Sequence, residues 1–151
     1  MRSKAAAAID WELLAASSHS QTAITIREKL QQQDYGDAMH GLEELIDALA
    51  RADKRALETY LIRVMQHVIK WKLQPERRSR GWIRTIRNGR KEIRKLQQDT
   101  PSLTDQFIGE QLWDDCLDSA IGEAEGEMDC DLPALALTWQ EVFENEYRLD
   151  S

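Results

Sequence analysis

The chain has 151 residues, 42% of them hydrophobic and 31% charged, with 7 glycines, 3 prolines and 2 cysteines. A chain of this size buries enough surface to fold without a disulfide or metal staple, and so few turn formers argue against a β-sandwich, a collagen-like repeat or a low-complexity tract. A formal net charge of -7 makes it a poor non-specific nucleic-acid binder, because phosphate affinity rests on concentrated cations.

These bounds point to an all-α protein: a single-domain helical bundle of about five or six mostly antiparallel helices over residues 10–151, behind a disordered or frayed stretch over 1–9. Met1 to Lys4 is basic like the start of a secretory signal, but the apolar run from Ala5 ends at Asp10, too soon for such a segment. No stretch approaches the roughly 18 apolar residues of a membrane span. Cys116 and Cys130 fit no metal or redox spacing and read as free buried thiols. The expectation is a cytoplasmic protein with no membrane contact.

Asp10 is placed to cap a first helix through Trp11, Leu14, Ile24 and Leu30, with the polar run Ser17 to Thr22 able to divide it in two. The cluster Asp34-Tyr35-Gly36-Asp37 reads as a turn, with Asp37 capping a second helix whose apolar face is Leu42, Leu45, Ile46 and Leu49. Arg51-Ala52-Asp53 predicts a kink or tight turn with Asp53 as a cap. The third helix, about 54–73, carries the seam Leu57, Leu61, Val64, Val68 and Trp71. A second stripe of Ile62, Met65 and Ile69 leaves Thr59, Arg63, Gln66, His67 and Lys70 as a polar strip. Pro75 should end that helix, since its ring disfavours helical geometry at Gln74.

Charge is segregated along the chain. Residues 63–95 carry 12 basic against 2 acidic side chains, whereas 99–151 carry 1 against 15. Ser79 is placed to cap a fourth helix with core positions Trp82, Ile86, Ile93 and Leu96. Arg80, Arg84, Arg87, Lys91 and Arg94 recur at four and three residues on the opposite side. Gly89 falls on the buried side, permitting close approach of a neighbour, and Ile83 lands inside the basic arc with no account from periodicity. A fifth helix over about 103–127 has an acidic polar face and should lie antiparallel beside the fourth. Thr138-Trp139-Gln140-Glu141 is a capping box, with Leu137 and Val142 as a hydrophobic staple, so a short terminal helix follows.

The block from His67 to Trp82, followed by Thr85-Ile86-Arg87, resembles a bacterial family called domain of unknown function 29. Glu44, Lys54-Arg55-Ala56-Leu57, Pro101-Ser102-Leu103 and Trp139-Gln140-Glu141-Val142 match the same pattern. The resemblance spans most of the chain and implies a small all-helical cytosolic domain of no known activity. Ala50 and His40 stand where the family usually has a glycine and an acidic residue.

Arg77, Arg78, Arg80, Trp82, Arg84, Arg87, Lys91 and Arg94 form the candidate anion-binding set. They stand at a helix start whose free amides and dipole favour an anion, with guanidinium forks suited to phosphate or carboxylate and Trp82 near enough to stack. The competing reading is that these cations pair with Glu110, Asp114, Asp115 and Asp118 of the next helix, or merely face water. His40, Glu44 and Asp47, with His67, are spaced as bundle metal ligands can be, yet His67 sits between Arg63 and Lys70, which repel a cation. The alternation from Glu123 to Asp131 imitates a calcium loop, but Met128 and Ala134 occupy the positions that need Gly and Glu.

No phosphate-binding glycine loop, nucleophile elbow, zinc motif or dinucleotide fingerprint is present, so no catalytic residue and no cofactor is expected. The reading that results is a non-catalytic interaction module binding an anionic partner through residues 77–94. That partner is an acidic protein surface or, less favoured, nucleic acid. The alternatives are a metal-dependent bundle enzyme on His40, Glu44, Asp47 and His67, and a structural homodimer through the wide apolar third helix.

Overall fold

The computed structural model describes residues 7–150, and every regular element there is helical. The elements are α1 (Trp11–Ser17), α2 (His19–Gln31), α3 (Tyr35–Leu73), α4 (Arg80–Asp99), α5 (Asp105–Phe107) and α6 (Trp113–Met128). A π segment, Ile108–Leu112, joins α5 to α6, and a second, Gln140–Glu144, lies near the C-terminus. Of the stretch expected to be frayed, 1–6 lie outside the described residues, while Ile9 packs against Trp11. Two compact units emerge, one up to Ala52 and one from Asp53.

In the first unit the polar run after α1 does divide the helix. Asp10 caps α1 by accepting from the Leu13 amide at 3.1 Å, and Ser18 ends α1 and caps α2 by accepting from the Gln21 amide at 3.0 Å. Gln33, with φ 61°, closes α2: the amides of Asp34 and Gln33 return to the carbonyls of Lys29 and Leu30 at 2.9 and 3.0 Å, satisfying carbonyls that a helix end leaves unpaired. The cap of α3 is Asp34 rather than Asp37, and it accepts from the Asp37 amide at 3.3 Å. Asp37 is engaged elsewhere. It accepts from the Trp11 indole at 2.7 Å and pairs with Lys29 at 3.2 Å, and the indole N–H above all holds its carboxyl below the usual range.

Of the apolar stripe expected from periodicity, only Leu45 turns inward in this part of α3, half-buried against the cluster of Trp11, Ile26 and Ala38. Ala38, Gly41 and Ala48 are buried, whereas Leu42, Ile46 and Leu49 are exposed and continue a stripe with Tyr35 and Met39. Trp11 is the reason. Its ring lies so close to Gly41 that a Cβ there would stand 2.6 Å from a ring carbon, so the flat face of small residues meets the indole and the large ones are left outside.

The second unit holds the main core. Its stretch of α3 buries Leu57, Leu61, Val64, Met65, Val68 and Ile69 completely or nearly so, so the seam proposed for a homodimer is consumed inside the protomer. The helix assignment of α3 continues through Arg51-Ala52-Asp53, with no turn there. Without a Gly or Pro the backbone hydrogen bonds continue, and Asp53, instead of capping, accepts from the Thr100 hydroxyl at the end of α4. The helix stops at Leu73, and Pro75 opens a short 3₁₀ turn, as the sequence requires.

Contacts give the direction of each helix. Lys70 meets Trp82, Val64 meets Gly89 and Asp53 meets Thr100, so α4 runs antiparallel to α3. Glu58 and Asp115 line one crevice and Lys70 meets Glu127, so α6 runs in the direction of α3 and therefore opposite to α4. A Cβ at Gly89 would stand 2.4 Å from Val64 Cγ2, which is how α4 comes close enough to show its outer face to solvent. The capping box forms as expected, with Thr138 N donating to Glu141 Oε1 at 2.9 Å and Glu141 N to Thr138 Oγ1 at 3.1 Å. The helical turn that follows is a π segment with Val142 and Phe143 buried.

Candidate anion-binding site

The basic face is built by α4. Ser79 accepts from the Trp82 amide at 3.3 Å and sets the helix start; Ile86, Gly89 and Ile93 turn inward, and the 3.6-residue period then places Arg80, Arg84, Arg87 and Lys91 outward. All four are exposed, as is Arg77. Among the described residues none of the five has a carboxylate within ion-pair distance. The acidic helix does not neutralise them: Glu110 accepts from Gln106, and Asp114, Asp115 and Asp118 are exposed with no basic partner among the described residues.

Three members of the sequence-derived set have other work. Arg78 donates from Nε to the Trp71 carbonyl at 2.8 Å and lies 4.7 Å from the centre of the Trp71 ring, so it caps the last turn of α3, where carbonyls lack helical partners. Arg94 donates to Asp105 at 2.6 Å and to Gln97 at 2.5 Å and lies over Phe143. Gln97 first, then Arg94, holds the Asp105 carboxyl below its usual range. Trp82 is half-buried with the Lys70 ammonium 4.9 Å from its ring centre, so that face is not free to stack on a ligand.

Lys70 and Gln66 do not belong to a solvated strip. Both are buried: Lys70 Nζ donates to Glu127 Oε2 at 2.7 Å and Gln66 Nε2 to Glu127 Oε1 at 2.8 Å. The Lys70 hydrogen bond is the main reason the Glu127 carboxyl titrates below its usual range. His67 Nδ1 lies 2.8 Å from the Arg63 carbonyl, so Nδ1 carries the proton, and burial pushes its pKa down.

Arg90, outside the predicted set, organises the other side of the site. It donates to the carbonyls of Val142, Asn145 and Glu141 at 2.7, 2.8 and 3.2 Å, so one guanidinium satisfies the open carbonyls of the terminal π segment. Its place four residues after Ile86 and three before Ile93 marks it as flanking the core rather than sharing the basic arc. The segment it holds leads to Tyr147, whose ring meets Trp71 edge-on with centroids 5.3 Å apart and whose hydroxyl donates to the Glu141 carbonyl at 2.5 Å. Burial pushes that phenol up to about 12.

The C-terminal arm thereby forms a second wall. Between it and α4 lies a cleft of about 460 Å³, with Arg80, Arg84 and Arg87 on the helix side and Tyr147, Arg148 and Leu149 on the arm. Ile83, unexplained by periodicity, lines the same cleft.

The model of one family, described as domain of unknown function DUF29, matches residues 19–148. The chain belongs to the DUF29 family. No curated protein and no solved structure matches it. In this DUF29 member the proposed metal ligands are not gathered: His40, Glu44 and Asp47 lie in the first unit and His67 in the second, and no group of three His, Cys, Asp or Glu among the described residues is arranged to hold an ion. The run Glu123 to Asp131 is the end of α6 and its exit, where Asp129 takes φ 51°, and not a loop wrapped around a cation. No helix of the described residues is long and apolar enough to cross a membrane.

Proposed function

We propose that this DUF29 chain is a non-catalytic interaction module of the bacterial cytoplasm that binds an anionic partner, an acidic protein surface ahead of nucleic acid, through the outer face of α4. The reading rests on one observation: Arg77, Arg80, Arg84, Arg87 and Lys91 are exposed together and unmatched by carboxylates among the described residues. Five like charges on one surface repel one another unless a counter-charge arrives, and guanidinium groups bind carboxylate and phosphate in a two-pronged geometry. Two free thiols suit a reducing compartment.

The test is fluorescence anisotropy with labelled poly-glutamate and a short DNA duplex at about 50 and about 200 mM salt. Wild type is expected to bind poly-glutamate with an affinity that falls as salt rises. The triple variant Arg80→Glu, Arg84→Glu, Arg87→Glu should lose at least tenfold while melting within about 2 °C of wild type, because exposed unpaired charges contribute little to stability. Equal binding by the variant, or no binding by wild type, overturns the reading.

A second reading draws on the exposed stripe Tyr35, Met39, Leu42, Ile46 and Leu49. Apolar residues at alternating spacings of four and three suit pairing with a like helix, which makes a homodimer through this stretch the alternative. Sedimentation equilibrium of Ile46→Glu beside wild type decides it.

A further inference from the structure

We infer that the cleft between α4 and the C-terminal arm receives an extended acidic peptide segment that inserts an aliphatic side chain between its carboxylates. This rests on the anion-binding reading and names the partner's chemistry. The cleft has two kinds of wall. Arg80, Arg84 and Arg87 supply forks along one side and Arg148 a fourth on the other, in an exposed pair with Glu146 that an incoming carboxylate can replace. Between them stand Ile83 and the exposed Leu149. Its volume of about 460 Å³ has room for a few side chains of a bound segment.

Apolar surface flanked by guanidinium groups discriminates between anions. A peptide of Asp or Glu around a Leu or Ile satisfies both at once, because the aliphatic group leaves water while the carboxylates meet the forks. A nucleic-acid strand gains only the charge. Its bases need an open aromatic face, and both the ring that lines the cleft and the one at the start of α4 are engaged: Tyr147 against Trp71 and the Arg90 guanidinium, Trp82 with Lys70. The chain's overall charge of -7 further disfavours a long polyanion relative to a short segment.

The arm is held in place from behind. Arg90, through its three carbonyl contacts, and Tyr147, through Trp71 and Glu141, fix the backbone that carries Arg148 and Leu149. The second wall is therefore present before any peptide arrives, which lowers the ordering cost of binding.

The experiment compares two labelled peptides, an acidic decamer with a central leucine and the same decamer with glycine there, and a DNA duplex, on the full-length protein at one moderate salt concentration. The leucine peptide is expected to bind about tenfold tighter than the glycine peptide. Leu149→Ser should remove that difference while leaving the glycine peptide's affinity within twofold and the melting temperature unchanged, and Ile83→Ser serves as the second variant should the first alter the arm. Equal, salt-dependent binding of the two peptides overturns the aliphatic anchor and leaves the anion reading standing. DNA bound more tightly than either peptide overturns the choice of partner. Failure of all three probes to bind overturns both.

Discussion

The placement of the basic face depends on how closely α4 approaches α3, and Gly89→Ala tests that distance. Carbon atoms in contact normally lie about 3.5–4.0 Å apart, whereas the new Cβ would stand 2.4 Å from Val64 Cγ2, so one side must retreat by about 1 Å. Val64 cannot swing away, because it is wholly buried and a valine in a helix is nearly confined to one rotamer. Overpacking of this kind costs about 1–3 kcal/mol, here near the upper end because the obstruction is a methyl on a buried, rotamer-locked side chain, with Val64 Cβ a further 3.8 Å contact of the new Cβ. Replacing Gly by Ala inside a helix returns about 1 kcal/mol. The net is a loss of about 2 kcal/mol, or a melting temperature lower by about 4–8 °C for a chain of this length.

Gly122→Ala is the internal control, since nothing lies within 4 Å of its added Cβ; it should melt about 2–4 °C higher than wild type through propensity alone. Val64→Ala opens the space the new methyl needs, so the double variant Val64→Ala, Gly89→Ala should be more stable than the sum of its parts implies. Thermal melts followed by circular dichroism read the four variants beside wild type. If Gly89→Ala stabilises as much as Gly122→Ala does, the two helices are not in contact at Gly89, and the reasoning that turns the arginines outward fails with it.

Glu127→Gln should lower stability at neutral pH by about 1–3 kcal/mol, because Lys70 remains buried with a weaker acceptor. The folded protein lowers the Glu127 pKa, so that carboxylate's stabilisation is complete above its unfolded value of about 4.3 and is lost as acid protonates it through the lower folded value. Denaturant melts from pH 7 to 3 should therefore show the gap between wild type and variant closing below about pH 4.3, and a gap that stays constant refutes the pairing. The two thiols should differ in reactivity. Cys130, expected from the sequence to be buried, is exposed beyond the end of α6, while burial pushes Cys116 up to about 12, so a disulfide reagent at neutral pH should titrate one thiol quickly and the second only on unfolding.

Local chemistry in the sequence was enough to place several helix ends and the buried faces of α4 and of the second part of α3. Asp10, Ser79 and the Thr138–Glu141 box cap where their hydroxyl and carboxylate groups predict, Pro75 ends α3, and the buried seam from Leu57 to Trp71 appears as its spacing requires. These are effects of neighbours within one turn, and a chain read in order contains them. The spacing of Arg80, Arg84, Arg87 and Lys91 belongs to the same class, which is why the basic face was legible before any coordinates.

What the linear order could not hold is which partner each polar group finds across the fold. Arg78, Arg90 and Arg94 look alike in sequence, yet one caps α3, one holds the C-terminal arm and one pairs with Asp105. Lys70 reads as a solvated cation until Glu127, 57 residues away, is brought to it. Likewise Leu42, Ile46 and Leu49 of the first part of α3 were expected inside, and it is the flat approach of Trp11 to Gly41 that leaves them out. Side-chain periodicity selects the faces of a helix, but only packing decides which face is covered, because the energy of a contact depends on the shape and charge that arrive from elsewhere in the chain.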